Sequence, residues 1–224
     1  MQPPEPRAIA AALERLRASH GPFVPKPRLA IIDEMIATVL SQHTSDHNSE
    51  RAFAQLKAEF PTWELVLEAG QERVAEAIRS GGIASTKARR IRQILAAIAE
   101  REGCLDLTRL QDLDDALVEE YLTSLPGVGP KTAACVLVFS MGRAAFPIDT
   151  HVHRITTRLG WIPSGATAEQ AYRTLNPAVP PAIRYDLHLA LISHGRTVCK
   201  ARNPGCQACV LRDTCAYAAR GAAP

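Results

Sequence analysis

Four of the six cysteines of this 224-residue chain, Cys199, Cys206, Cys209 and Cys215, fall within 17 residues as C-x6-C-x2-C-x5-C. Thiols so spaced form either two disulfides or the donor set of a metal site. The N-terminal MQPPEPR has no apolar stretch behind its charge and does not read as a secretory signal. Disulfides are disfavoured in a chain that is not exported, so metal ligation is expected. Zinc and an iron–sulfur cluster both accept four thiolates, and spacing does not separate them. Cys104 and Cys135 read as buried thiols on apolar-periodic helices.

A second set lies upstream, in Leu125-Pro126-Gly127-Val128-Gly129-Pro130-Lys131-Thr132-Ala133. The two glycines form a tight turn, and Pro130 takes the first helical position, where proline is favoured. Backbone N–H groups at the positive end of a helix attract a phosphate. Glycine lets a phosphate backbone come close, and such a contact ignores base sequence. Lys131, the second residue of that helix, is a cation where the helix already presents positive charge. That position disfavours the ammonium and promotes the free amine, a nucleophile; the plainer reading is a solvated lysine paired with a phosphate. Eighteen residues on, Asp149 in Phe146-Pro147-Ile148-Asp149-Thr150-His151 stands at the N-cap of another helix. The chain has 21 arginines and only five lysines, Lys26, Lys57, Lys87, Lys131 and Lys200, so candidate amines are few.

The elements that must position these residues are helical. Aromatic residues are 5% of the chain, and valine and isoleucine recur at helical rather than alternating spacing. Helices are expected over Pro6–Ser19 and Arg28–Leu40, and from an Asp46 cap to Phe60. A short one follows Thr62, then Gln71–Arg79 ending at Gly81-Gly82. Ser85 opens a basic helix ending at Gly103, and Asp112 precedes an acidic one over Leu113–Ser124. The helix begun at Pro130 runs to about Met141, so that 113–141 reads as helix, glycine hairpin, helix. Further helices are expected at Thr150–Leu159, Thr167–Leu175 and Pro181–His194, followed by a cysteine-bearing loop. The longest apolar run, Ala133–Phe139, is too short to span a membrane.

Net charge is +3, but residues 1–120 carry 15 basic and 19 acidic side chains, and residues 121–224 carry 11 and 4. A basic half points to a polyanionic partner, nucleic acid first, with a solvated surface as the plainer alternative. With 46% apolar residues, the chain reads as a globular, cytoplasmic protein, nucleoid-associated if bacterial and not secreted.

These motifs together resemble the endonuclease III family of helix-hairpin-helix DNA glycosylases, over nearly the whole chain. Leu125–Ala133 is similar to that family's hairpin, Gly142–Arg154 to its loop ending in an essential aspartate, and Cys199–Cys215 to its iron–sulfur motif. Leu191-Ile192-Ser193-His194-Gly195-Arg196 is also similar. The resemblance implies an all-α, two-lobed fold: a six-helix barrel over 23–143, and an iron–sulfur lobe joining 1–22 to 144–224. It implies a [4Fe–4S] cluster on the four cysteines, with Lys131 as nucleophile and Asp149 as its acidic partner. The activity implied is removal of oxidised pyrimidines from double-stranded DNA and β-elimination at abasic sites, by a monomer. Pro126, Gly127, Val128, Gly129, Gln42, His43, Asp46, Ile83 and His151 are the implied DNA contacts. His43, or Gln42, stands where the family places a gap-filling glutamine, and Ile83 where it places an apolar wedge. Ala84 is small for its place, and Pro130 replaces a more usual arginine. A monofunctional mismatch glycosylase of the same fold, acting on thymine or uracil opposite guanine or on adenine, and a non-catalytic DNA-binding iron–sulfur protein are the alternatives.

The charge pattern predicts that affinity for undamaged duplex DNA falls steeply as salt rises and shows little sequence preference, through counterion release. A binding titration between about 50 and 200 mM salt checks this; a salt-independent affinity would remove the electrostatic reading.

Overall fold

The computed structural model describes residues 4–25 and 27–221. Met1–Pro3 of the MQPPEPR segment and Lys26 lie outside the described residues, as do residues 222–224. The chain forms two compact units, Arg28–Arg143 and the segment up to Pro27 together with the chain from Ala144 on. All regular structure among the described residues is helical, and no helix there is long and apolar enough to cross a membrane.

The Arg28–Arg143 unit is built on α2 (Ile31–Ser41), which buries Ile31, Ile32, Met35, Ile36, Val39 and Leu40 and so is covered on most of its circumference. Against it pack α3 (Asp46–Glu59), α6 (Ala84–Glu102) and α8 (Pro130–Cys135). The short α4 (Trp63–Glu68) and α5 (Gly70–Ala77) brace α6. α7 (Asp115–Thr123) packs on α8 across the glycine hairpin. α6 shows why a basic sequence still folds inward: Ala88, Ile91, Leu95 and Ile98 recur every three or four residues and are buried, while Arg89 is exposed.

In the other unit, α1 (Pro6–His20) buries Ile9, Ala12, Leu13 and Leu16, one stripe, against α11 (Arg184–Thr197). Arg17 ion-pairs with Asp186 across that contact. α9 (Thr150–Leu159) packs on α11, and α10 (Ala168–Ala178) opens with a full capping box between Thr167 and Gln170. α12 (Ala216–Ala219) packs on α9 and closes the cysteine-bearing segment.

Several helix starts differ from expectation. Ser45, not Asp46, caps α3, accepting from Asn48 N at 3.3 Å; Asp46 is the first helical residue. Thr62 stands at the N-cap of α4 without a side-chain bond. α2 begins at Ile31 rather than Arg28, because burial of Ile31 and Ile32 decides where the apolar stripe starts. The helix after Pro130 does not run on as one α-helix: Val136–Ser140 widens into a π turn, with Met141 N bonded to Val136 O at 3.1 Å and the Ser140 hydroxyl donating to Leu29 O at 2.8 Å. Cys135 is buried, but Cys104 is exposed: Gly103, left-handed at φ 73°, ends α6 before it, so the helical stripe never includes it.

At the start of α6 Ser85 does not cap. The N-cap is Ile83, held at φ 41°, ψ 41°, with 56% of its surface exposed. A β-branched residue in the left-handed region costs about 1–2 kcal/mol, and this one recovers little by burial. Ile83→Gly is therefore expected to raise the unfolding free energy by roughly 0.5–1 kcal/mol, after the entropy that glycine loses on folding is counted. A urea titration reads this; a destabilised variant would mean that Ile83 is held by packing.

Candidate active site and nucleic-acid interface

The hairpin is a tight turn whose residues suit it. Val128 N bonds to Leu125 O at 3.1 Å, with Pro126 and Gly127 between them and Gly127 at φ 71°. A type II turn requires a positive φ at its third place and favours proline at its second. The Arg90 side chain lies against Gly127, so that a Cβ there would be 2.6 Å from Arg90 Nε. Val128 is buried and anchors the turn by its side chain, leaving only its backbone for any ligand, whereas Pro126 and Gly127 are exposed. Gly129 is the N-cap of α8 and Pro130 its first residue. Among the described residues, the N–H groups of Gly127 and Gly129 meet no protein acceptor.

Lys131 follows at the second helical position, half-buried, and among the described residues its amine has no hydrogen bond or ion pair. The other described lysines differ. Lys57 pairs with Asp33 at 3.5 Å and lies 4.3 Å from the centre of the Trp63 ring. Lys200 is exposed on the cysteine loop. Lys87 is 3% exposed and donates to Leu40 O at 2.7 Å and Gly81 O at 2.8 Å, and its burial favours the neutral amine. Sequence reading took Lys87 as one more member of a short list; only packing shows that its amine is already committed.

Those two carbonyls lie at the feet of the other implied DNA contacts. Gln42 is the C-cap of α2, and His43 follows it, exposed and at φ 55°. Ile83 follows Gly81-Gly82. Arg90 Nη1 donates to Gln42 Oε1 at 3.4 Å, so the α2 end, the Ile83 turn and the hairpin all gather around the first two turns of α6. Asp46 is exposed in the first turn of α3.

In the other unit Asp149 is the N-cap of α9. Its Oδ1 accepts from Val152 N at 2.7 Å, and among the described residues Oδ2 carries no hydrogen bond. Burial is the largest cause holding His151 below the ordinary histidine range, with the Asp149 carboxylate opposing it. α9 is fastened to the cysteine segment by two arginines. Arg154 donates to Cys199 O at 3.0 Å and Gly195 O at 2.9 Å. Arg158 donates to Cys199 Sγ at 3.2 Å and to Lys200 O at 2.7 Å and Ala201 O at 3.0 Å. The sequence marked neither arginine, since their partners are more than 40 residues away.

None of the six cysteines is in a disulfide. Burial pushes the Cys209 thiol up, and the neighbouring charges of Cys199, Cys215 and Cys206 add to the rise. Cys209 Sγ lies 3.4 Å from His194 Nε2, and the other ring nitrogen of His194 is 3.0 Å from His20 Nε2. Burial, reinforced by His20, holds His194 down at about 4. Among the described residues no three His, Cys, Asp or Glu side chains close around a single point as one ion requires.

Residues 36–181 match the model of the HhH-GPD superfamily base excision DNA repair proteins. The chain is 41% identical over 167 residues to At3g47830 of Arabidopsis thaliana, whose name assigns it to the DNA glycosylases; the match covers 75% of this chain and 57% of that protein's length. It is 35% identical over 183 residues to endonuclease III of Thermotoga maritima, covering 82% and 81% of the two chains. In three dimensions it is similar to an endonuclease III trapped as a covalent intermediate on DNA, with a TM-score of 0.82 at 26% identity over 98% of this chain and 100% of that one. A glycine hairpin, a lysine one residue inside the helix it opens and a capping aspartate thus stand in a fold shared with known repair enzymes: the chain belongs to the HhH-GPD superfamily of base excision DNA repair proteins, a family of DNA glycosylases.

Proposed function

We propose that the protein is a bifunctional DNA glycosylase that removes oxidised pyrimidines from double-stranded DNA and cuts the strand at the abasic site, acting as a monomer. The observation that carries this reading is the state of Lys131: a half-buried lysine beside a turn with free N–H donors, its own amine uncommitted among the described residues. A nucleophile must be free to reach its carbon, and Lys57 and Lys87 are not.

In this mechanism the damaged nucleotide leaves the stack, at a cost of a few kcal/mol that damage lowers. Gln42 or His43 fills the gap, Ile83 wedges the neighbouring step, and the backbone of Pro126–Gly129 holds a phosphate. The Lys131 amine attacks C1′; the new C–N bond forms as the base departs with the glycosidic electron pair and takes up a proton. The sugar ring opens to a protonated imine on Lys131. Loss of the C2′ proton then expels the 3′ phosphate and cuts the strand. Asp149 suits the supporting role, with one oxygen pinned by Val152 N–H and the other open to stabilise positive charge on the sugar and to pass protons.

We further propose that Cys199, Cys206, Cys209 and Cys215 hold a [4Fe–4S] cluster. The four cysteines lie on one short segment and none is in a disulfide, so the donor set suits such a group, and the resemblance to the endonuclease III family favours iron–sulfur over zinc. When bound, the group cross-links the loop that Arg154 and Arg158 fasten to α9, and supplies redox capacity.

Borohydride reduction with a duplex bearing thymine glycol or an abasic site is expected to trap a covalent adduct, and mass spectrometry to find it on Lys131. Lys131→Gln abolishes trapping while DNA binding persists. An adduct on another amine overturns the assignment, and base release without any adduct makes the enzyme monofunctional. Asp149→Asn keeps a good helix cap, so its melting temperature holds while turnover drops about 100-fold, the scale of one lost electrostatic group; unchanged turnover removes Asp149 from the site. Metal analysis is expected to find iron, and Cys206→Ser to lose it together with the order of the C-terminal segment, because ligation energy is partly folding energy. A zinc-loaded, colourless and active protein overturns the cluster.

A further inference from the structure

Two cations one turn apart on α6 tie three loops of the Arg28–Arg143 unit together. Lys87 sits in an apolar core and its Nζ donates to Leu40 O and Gly81 O. Leu40 is in the last turn of α2, where carbonyls lose their helical donors and the helix end is negative, so a lysine is a suitable cap. Gly81 closes the 3-10 turn Arg79–Gly81 and is buried, and a Cβ there would be 3.2 Å from Ala52 Cβ, so its backbone runs close against α3. One lysine nitrogen therefore holds the bases of both segments that carry the insertion side chains. His43 is three residues past Leu40, and Ile83 is two past Gly81. Both are non-glycine residues in the left-handed region, a pose that persists only where the surroundings over-determine it.

Arg90 makes the third connection. Its Nη1 bonds to Gln42 Oε1 at 3.4 Å, while its Nε occupies the space that a side chain at 127 would need. The same guanidinium thus touches the gap-filling segment and the phosphate-binding turn.

We propose that Lys87 and Arg90 are positioning residues that couple the phosphate-binding hairpin to the insertion loops, so that grip on the backbone sets the pose of Gln42, His43 and Ile83 for base displacement. This rests on the reading of those loops as DNA-inserting. Neither residue touches the reacting atoms; each acts through the segments it holds.

The test uses the full chain and two duplexes. The first carries 2-aminopurine beside a tetrahydrofuran abasic analogue, and its fluorescence rises when a side chain enters the stack, with no chemistry needed. The second carries thymine glycol and is compared with a preformed abasic site. Arg90→Met keeps the aliphatic stem and removes the guanidinium. It is expected to lower the fluorescence rise, and to slow base release at least fivefold more than it slows borohydride trapping at the abasic site, with the melting temperature unchanged. In a Gln42→Ala background the same change should add little, because coupled residues do not act additively. Lys87→Met is expected to show the same split per folded molecule. If it fails to fold, the Arg90 and Gln42 cycle decides. Equal losses on intact and abasic substrates, or effects of Arg90→Met and Gln42→Ala that simply multiply, overturn the proposal. A wild-type protein that raises 2-aminopurine fluorescence but forms no adduct overturns the lyase reading and leaves the positioning role intact; one that raises no fluorescence overturns the positioning role.

Discussion

A lysine head buried among apolar side chains is costly unless its N–H groups find acceptors, and the two hydrogen bonds of Lys87 set the terms for much of the Arg28–Arg143 unit. Its two acceptors are carbonyls from two separate segments, one 47 residues away and one six. α2 must therefore end where Lys87 can reach it, and the 3-10 turn after α5 must close at Gly81. If either segment moved, a buried N–H donor would be left in the core without an acceptor. The consequence is visible next door, where His43 and Ile83 both take left-handed backbone that neither would choose in isolation.

The residues proposed to act on DNA share one local feature: they stand at helix ends. Gln42 is a C-cap, Ile83 and Asp149 are N-caps, and Lys131 is one residue inside α8. Helix ends carry backbone groups without intrahelical partners and half-charges of fixed sign, so the N-terminal ends at Ile83, Lys131 and Asp149 suit an anionic ligand, whereas the C-terminal end at Gln42 suits a donor. They also place side chains on rigid elements while leaving them open to solvent. Asp149 uses one oxygen for the cap and keeps the other, a division of labour that the geometry of an N-cap makes natural.

The cysteine segment has little regular structure of its own. It consists of short 3-10 turns and the four-residue α12. Its order comes from α9, through Arg154 and Arg158, and from His194 on α11. Arginine suits this task because its planar fork donates to several carbonyls at once. The helix whose first turn holds Asp149 is thus the same helix whose later turns hold the cysteines.

Much of this was legible in the amino-acid order because its causes are local. Apolar spacing marked the helices, and α9 was readable to the residue, Thr150–Leu159 behind an Asp149 cap. Pro126, Gly127 and Pro130 have narrow backbone preferences, so the hairpin and the start of α8 followed from residue type alone. Other features depend on partners far away in the chain. Whether Lys87 is a free amine or a buried clamp, whether Arg90 points to Gln42, and whether Arg158 meets solvent or Cys199 are decided by which helices pack together. The same holds for the start of α2, which packing moved to Ile31, and for the left-handed turn at Ile83, which no preference of isoleucine would predict. The exposure of Cys104 belongs with the local causes, since Gly103, a residue type that ends helices, stops α6 before it. Local propensity chooses among a few backbone states, but a buried charge or a strained turn is set by the neighbours that satisfy or confine it, and only the tertiary structure supplies them.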